Sequence, residues 1–378
     1  MQNVNDKNYN FEEAIRYHRD PFPPVELKLE PLLDALLKAT DGLARYDQML
    51  RGMPNSEIFL APLRNQEAVI SSRMEGTIST MDEILQYQAE YSEEEVAEEV
   101  RYEVIETLLY RRALNTAQKQ LEEGYPLSQS LVKSIHRHLL SWGRGASKSP
   151  GEYKREQNYI GDPNSRRIRF VPINPEQLEA GMDRLFAFLE SDRFPVLIRA
   201  ALAHVEFEAL HPFEDGNGRV GRMLVTLMLW KYGSISEPHF YISRFFEDEK
   251  EEYIRLMRKV SSEGAWEEWC RFFLCAMAEQ AEQNLKAAES IRALYEVMKI
   301  RFAGLLASKY AVQALDYLFS NPIFKNSGFT RESGIPHATA ARFTRILLEE
   351  GLLQTVRPAA GRRSATYRFE PLMERVRV

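Results

Sequence analysis

Two apolar runs, "FPVLIRAALAHVEFEALH" and "VGRMLVTLMLW", meet through "HPFEDGNGRVGR", His211 to Arg222. Both runs space their apolar residues as a helix does, so the chain is committed here to helix, corner and second helix. Pro212 stops the first helix and leaves His211 at its end. Gly216 and Gly218 permit positive φ and close backbone approach, and the second helix is expected to start at 217–219.

That corner has a chemistry. A helix N-terminus behind a glycine-containing loop presents free N–H groups and the positive end of the dipole, which suits an anion. Arg219 and Arg222, three residues apart, emerge on one face of the first turn and can grip phosphates. Asp215, just before the nest, is placed to hold Mg²⁺ against the same phosphates. His211 can take a proton from an incoming hydroxyl. Taken singly, each is an ordinary cap or core residue; in register, they point to phosphate chemistry.

Elsewhere helical spacing dominates, in "LEPLLDALLKATDGLARYDQML", "EEVRYEVIETLLYRRALNTAQKQLEEG" and "EQLEAGMDRLFAFLES". One stretch, "NYIGDPNSRRIRFVPI", reads as a β-hairpin: a turn over residues 161–165, with Ile168 and Phe170 alternating against Arg167 and Arg169. The acidic "EYSEEEVAEEV" reads as a helix start or a solvated connector. After Glu289 come one or two helices. A short helix, a turn at Gly334, a longer helix over 336–350 and two strand-like pieces, "LQTVRP" and "SATYRFE", follow; helix-turn-helix plus a basic hairpin predicts a winged helix.

Charge is uneven. The chain carries −6 overall, yet residues 309–378 hold eleven Lys/Arg against six Asp/Glu, a net of +5 that leaves −11 on the rest. A basic tail on an acidic body suggests a module with its own partner, or simply a solvated surface. With 44% hydrophobic and 28% charged residues the composition is globular, which excludes a disordered or fibrous chain. No run approaches the roughly 20 apolar residues of a membrane helix, and the polar start lacks a signal-peptide core. Cys270 and Cys275 are not spaced as a metal pair. A cytoplasmic protein with reduced thiols is expected.

The central segment resembles the Fic motif, HPFx(D/E)GNGRxxR, at all nine defined positions: His211, Pro212, Phe213, Asp215, Gly216, Asn217, Gly218, Arg219 and Arg222. The resemblance implies an all-α fold with a β-hairpin flap, and transfer of AMP from ATP to a Ser, Thr or Tyr hydroxyl of a protein, the chain itself included. It implies His211 as base, Asp215 as the Mg²⁺ (or Mn²⁺) ligand, and an anion hole lined by Gly216, Asn217 and Gly218. Arg219 would meet the β-phosphate and Arg222 the γ-phosphate. The related Doc toxins, which phosphorylate, carry lysine at the position of Gly218. The segment from Gly151 to Pro172 is similar to the family's flap, so Ile160, Gly161, Ile168 and Phe170 are expected to dock the target by strand pairing. "HFYISRFFEDEKEEYIRLMRKV" is similar to the adenine-side segment, which singles out Tyr241 and Tyr253; aromatics at this spacing also fit a core.

Upstream, "AVISSRMEGTIST" matches an inhibitory pattern, (S/T)xxxE(G/N), at Ser71, Glu75 and Gly76. The resemblance implies that Glu75 pairs with Arg222 and withholds it from the γ-phosphate, or that the same carboxylate positions a water that removes AMP.

The expected organisation is an N-terminal helical region with the inhibitory pattern over 1–100, a catalytic core over 101–288, and an α+β winged helix over 289–378. The winged helix would read DNA through Arg342, Arg345, Arg362 and Arg363, making the chain a nucleotide-sensing regulator, or else would dock a protein or a second copy of the chain.

Overall fold

A computed structural model describes residues 9–53, 56–91, 101–162, 166–361 and 363–377. Residues 92–100 of the acidic stretch, 163–165 of the hairpin turn and Arg362 lie outside the described residues. The architecture is predominantly helical, with two small sheets. After β1 (Ile15–Arg16), helices α1 (Leu33–Arg51), α2 (Ser56–Met74), α3 (Met81–Glu90), α4 (Tyr102–Glu122) and α5 (Gln129–Leu139) precede the hairpin β2 (Ile160–Asp162) and β3 (Arg167–Val171). Then come α6 (Pro175–Leu189), α7 (Val196–Leu210), α8 (Asn217–Lys231), α9 (Ser243–Asp248), α10 (Lys250–Glu263) and the long α11 (Trp266–Leu306). The chain ends with α12 (Ala311–Ser320), β4 (Ile323–Lys325), α13 (Asn326–Glu332), α14 (His337–Glu349), β5 (Leu353–Arg357), β6 (Thr366–Phe369) and α15 (Glu370–Val376).

Packing divides the chain into two compact units, one of residues 1–48 and 109–282, the other of 49–108 and 283–378. The first centres on α7, of whose residues all but Val196 and Glu208 are buried. It packs against α6 and α8, and close approach is bought with glycine: a Cβ on Gly181 would come 2.5 Å from Leu210, and one on Gly221 2.4 Å from Glu208. Around His204 the rings of Phe246, Tyr253, Trp269 and Phe273 form an aromatic core.

The hairpin forms as expected, but it is not a free two-stranded ribbon. Its sheet has the order β1-β3-β2, with Ile15 and Arg16 running parallel to Phe170 and Val171. The strap is held further by Tyr17, whose hydroxyl donates to Glu206 at 2.8 Å, and by His18, 3.1 Å from the same buried carboxylate. A strand of two residues carries no readable pattern, which is why the sequence gives no sign of it.

In the second unit Val69, Ile84 and Val104 form a buried cluster. Here α2 packs on α12 and α15, and α3 on β4. The C-terminal sheet has the order β4-β6-β5; the sequence shows β5 and β6 but not the three-residue β4, nor α15. Asp82 on α3 receives Arg368 at 2.8 Å and Arg377 at 3.0 Å, and Glu370 takes both arginines as well.

Candidate active site

Helix α7 ends at Leu210, and His211 caps it in the left-handed region, φ 45° and ψ 62°. A non-glycine residue there costs roughly 1 kcal/mol or more, so surrounding contacts must impose the shape. The loop that follows is anchored by Phe213, fully buried and stacked on His136 with centroids 3.7 Å apart. Asn217 closes it: its Oδ1 accepts from the Phe213 amide and its Nδ2 donates to the Phe213 carbonyl, both at 2.8 Å. The Asn217 side chain therefore shapes the corner.

Gly216 takes φ +77° as the N-cap of α8, and no described side chain caps that helix. The first helical bond of the corner is Val220 N–H to Gly216 O, so the amides of Asn217, Gly218 and Arg219 open the turn. Asp215 is half-buried, its Oδ1 accepting from the Gly216 amide at 2.7 Å. Arg219 is 4% exposed, and among the described residues its Nε and Nη1 have no hydrogen-bond partner. Two buried, unanswered guanidinium N–H groups beside an uncapped helix start fit a bound anion, because such groups are costly to leave without an acceptor. Arg222, one turn on, is 2% exposed, and its charge helps hold down His204.

Several supporting residues escaped sequence reasoning. His136 accepts from the Gly151 amide through Nδ1 at 2.8 Å, which leaves Nε2–H to donate to the Asp215 carbonyl at 3.0 Å. Burial lowers this imidazole to about 4, matching a neutral ring. His204 is likewise lowered to about 3, by burial first and Arg222 second. Its Nδ1–H faces the Gly221 carbonyl at 3.3 Å and its Nε2 accepts from the Tyr253 hydroxyl at 2.9 Å. Lys154 and Asn158 bond the corner from the hairpin side. Only a contact map finds these residues; as letters in helices and loops they look ordinary.

The remaining expected residues are placed as follows. Tyr241 and Tyr253 are buried, Tyr253 as part of the aromatic core. Ile168 and Phe170 are also buried and lie on the interior strand β3, covered by β1 on one side and β2 on the other. The edge strand β2 carries Ile160, half-buried, and Gly161, exposed. Gly161 is obligatory, since a Cβ there would sit 2.3 Å from the Arg167 carbonyl oxygen. In the second unit, Ser71 is buried near the end of α2, while Glu75 and Gly76 are exposed in the turn after it. Among the described residues no group of three His, Cys, Asp or Glu is placed to hold a metal ion. No described helix is long and apolar enough to cross a membrane.

A helical domain with a buried helix–loop–helix corner, flanked by a short β-hairpin, is the class that fold and site define. Residues 126–229 match the Fic/DOC family model and residues 33–119 the Fic/DOC family N-terminal model. The chain belongs to the Fic/DOC family. It is 33% identical over 105 residues to "Protein adenylyltransferase Fic" of Aedes aegypti, and 30% identical over 105 residues to "Protein adenylyltransferase fic-1" of Caenorhabditis elegans. Each match covers 27% of this chain but only 19% of the relative's length. Among solved structures, a Fic family protein from Desulfovibrio desulfuricans G20 superposes with TM-score 0.59 at 17% identity, covering 92% of this chain and 98% of that one. Fic-1 from C. elegans gives TM-score 0.53 at 18% identity, covering 70% of this chain and 74% of that one. At these identities the likeness is one of fold.

Proposed function

We propose that the chain transfers AMP from ATP to a hydroxyl side chain of a protein. The observation that carries this reading is the pairing of His211, fixed at a helix end, with the start of α8, which no described side chain caps, and the two unanswered nitrogens of Arg219. His211 takes the proton of the incoming hydroxyl, the oxygen bonds to the α-phosphorus, and the bond to the β-phosphate oxygen breaks to release pyrophosphate. The amides of Asn217, Gly218 and Arg219, with the Arg219 and Arg222 side chains, hold the phosphate chain in line. Asp215 would hold Mg²⁺ or Mn²⁺, which supplies charge neutralisation to the phosphates. The resemblance alone supports setting adenine against Tyr241 and Tyr253. On the same basis we read the pattern Ser71, Glu75, Gly76 as inhibitory, with Glu75 competing for Arg222.

Incorporation of labelled AMP by the Glu75→Gly protein, compared with wild type and with Glu75→Gly/His211→Ala, tests this. The single variant is expected to label more than wild type, and the double variant not at all. Labelling that survives loss of His211 overturns the reading, and equal labelling with and without Glu75 removes the inhibitory part. Label released from an AMP-bearing protein only when Glu75 is present would assign the chain to AMP removal instead.

For the C-terminal part, the order α12, β4, α13, α14, β5, β6 supports a winged helix. We favour protein docking over DNA reading, because Arg342 donates to the Leu306 carbonyl at 3.1 Å and Arg345 pairs with Glu349 at 3.8 Å. Salt-dependent binding of the full chain to random duplex DNA would reverse that preference.

A further inference from the structure

The carbonyls at the end of α7 have lost their helical partners, and Pro212 has no N–H with which to build a capping turn. Yet four consecutive carbonyls there are all answered from one short segment. Lys154 Nζ donates to Leu210 O at 3.1 Å, Asn158 Nδ2 to His211 O at 3.1 Å, the Lys154 amide to Pro212 O at 2.8 Å, and Asn158 Nδ2 to Phe213 O at 3.0 Å. The two side chains are themselves joined, Lys154 Nζ to Asn158 Oδ1 at 2.8 Å. Lys154 is 4% exposed.

We propose that Lys154 and Asn158 act as one clamp that positions the His211 imidazole, by holding the backbone of Leu210 to Phe213 in a shape His211 does not favour on its own. The residue at this helix end must be both left-handed and an imidazole. Glycine would give the first without the second, so the backbone shape comes from outside. The clamp also bears on the hairpin: Asn158 lies two residues before β2, an edge strand of that sheet. The segment that would receive a protein target is thus continuous with the segment that aims the base. Burial lowers the Lys154 amine to about 7. A neutral amine has two N–H groups, and the two oxygens it meets, Leu210 O and Asn158 Oδ1, are matched to them.

The inference rests on His211 serving as base, and its test separates the two. In the Glu75→Gly background, Lys154→Met and Asn158→Leu should each lower kcat for AMP incorporation at least tenfold, with KM for ATP within twofold. The double variant should be no worse than the poorer single variant, because either change opens the same clamp. A kcat within twofold of the parent, or a loss that appears wholly in KM, overturns the proposal. A second readout needs no turnover. In the ¹⁵N-histidine spectrum the His211 signal, assigned by its loss in His211→Ala, should shift in both variants, and an unmoved signal overturns the clamp. If His211→Ala transfers AMP as well as its parent, the base assignment falls, while the spectrum still decides the clamp. Should either variant fail to fold, Asn158→Asp, which keeps the acceptor for Lys154 and removes both donors, carries the same two readouts.

Discussion

His136 donates from Nε2 to the Asp215 carbonyl at 3.0 Å while its ring lies flat on Phe213. One neutral imidazole therefore fixes the acidic residue of the corner and the aromatic anchor beneath it, from a helix 79 residues upstream.

Replacing His136 by Phe keeps the stack and removes both hydrogen bonds, leaving the Gly151 amide and the Asp215 carbonyl unanswered. We expect a loss of about 2–4 kcal/mol in denaturant unfolding, with the helices intact by circular dichroism.

The same ring gives the protein an acid limit. Its imidazole is lowered to about 4 from 6.5, so between those values the unfolded chain binds a proton that the folded one refuses, and stability falls as pH falls. The full contribution is on the order of 3 kcal/mol. Melting temperature should decline from pH 6.5 towards pH 4, less steeply in His136→Phe. Parallel curves would show that His136 is not the group responsible. His204, lowered to about 3, extends the decline further.

Arg219→Ala should separate binding from folding. It removes a buried guanidinium with two unanswered nitrogens, so ligand-free stability should hold or rise. Affinity for ATP with Mg²⁺, measured by calorimetry, should fall at least tenfold, or about 1.4 kcal/mol. A stability loss with unchanged affinity would make Arg219 a packing residue.

Gly161→Ala places a methyl 2.3 Å from the Arg167 carbonyl oxygen, and β2 must move away from β3. Hydrogen exchange of the amides at 160–162 should accelerate while α8 stays protected, at a cost of about 1–3 kcal/mol.

Asp82→Ala takes the shared carboxylate from Arg368 and Arg377. These groups are partly solvated, so the expected loss is about 1 kcal/mol, and it should shrink in 1 M salt as screening weakens the network in the parent.

What the letters disclosed follows from range. The run into His211, the corner and the run out of it were readable because apolar period, proline and glycine are local signals. The hairpin was readable from its turn and from the alternation of Ile168 and Phe170. The strap at Ile15, the clamp at Lys154 and Asn158, and the support from His136 depend on contacts across tens of residues, and single polar letters carry no sign of such contacts. Asn217 shows the intermediate case: its place in the motif was plain, but only geometry reveals that its amide is spent on Phe213.

The pairing of residues 49–108 with 283–378 bears on how this protein can be cut. A chain stopped ahead of residue 283 would not be a shorter version of the same machine. It would lose the Val376 carbonyl that holds Gln66, both arginines on Asp82 and the strand against α3, and so strip the surroundings of Ser71 to Gly76 while leaving those residues covalently in place. A frameshift just ahead of residue 283 would thus read out as a lesion at residues 71–76.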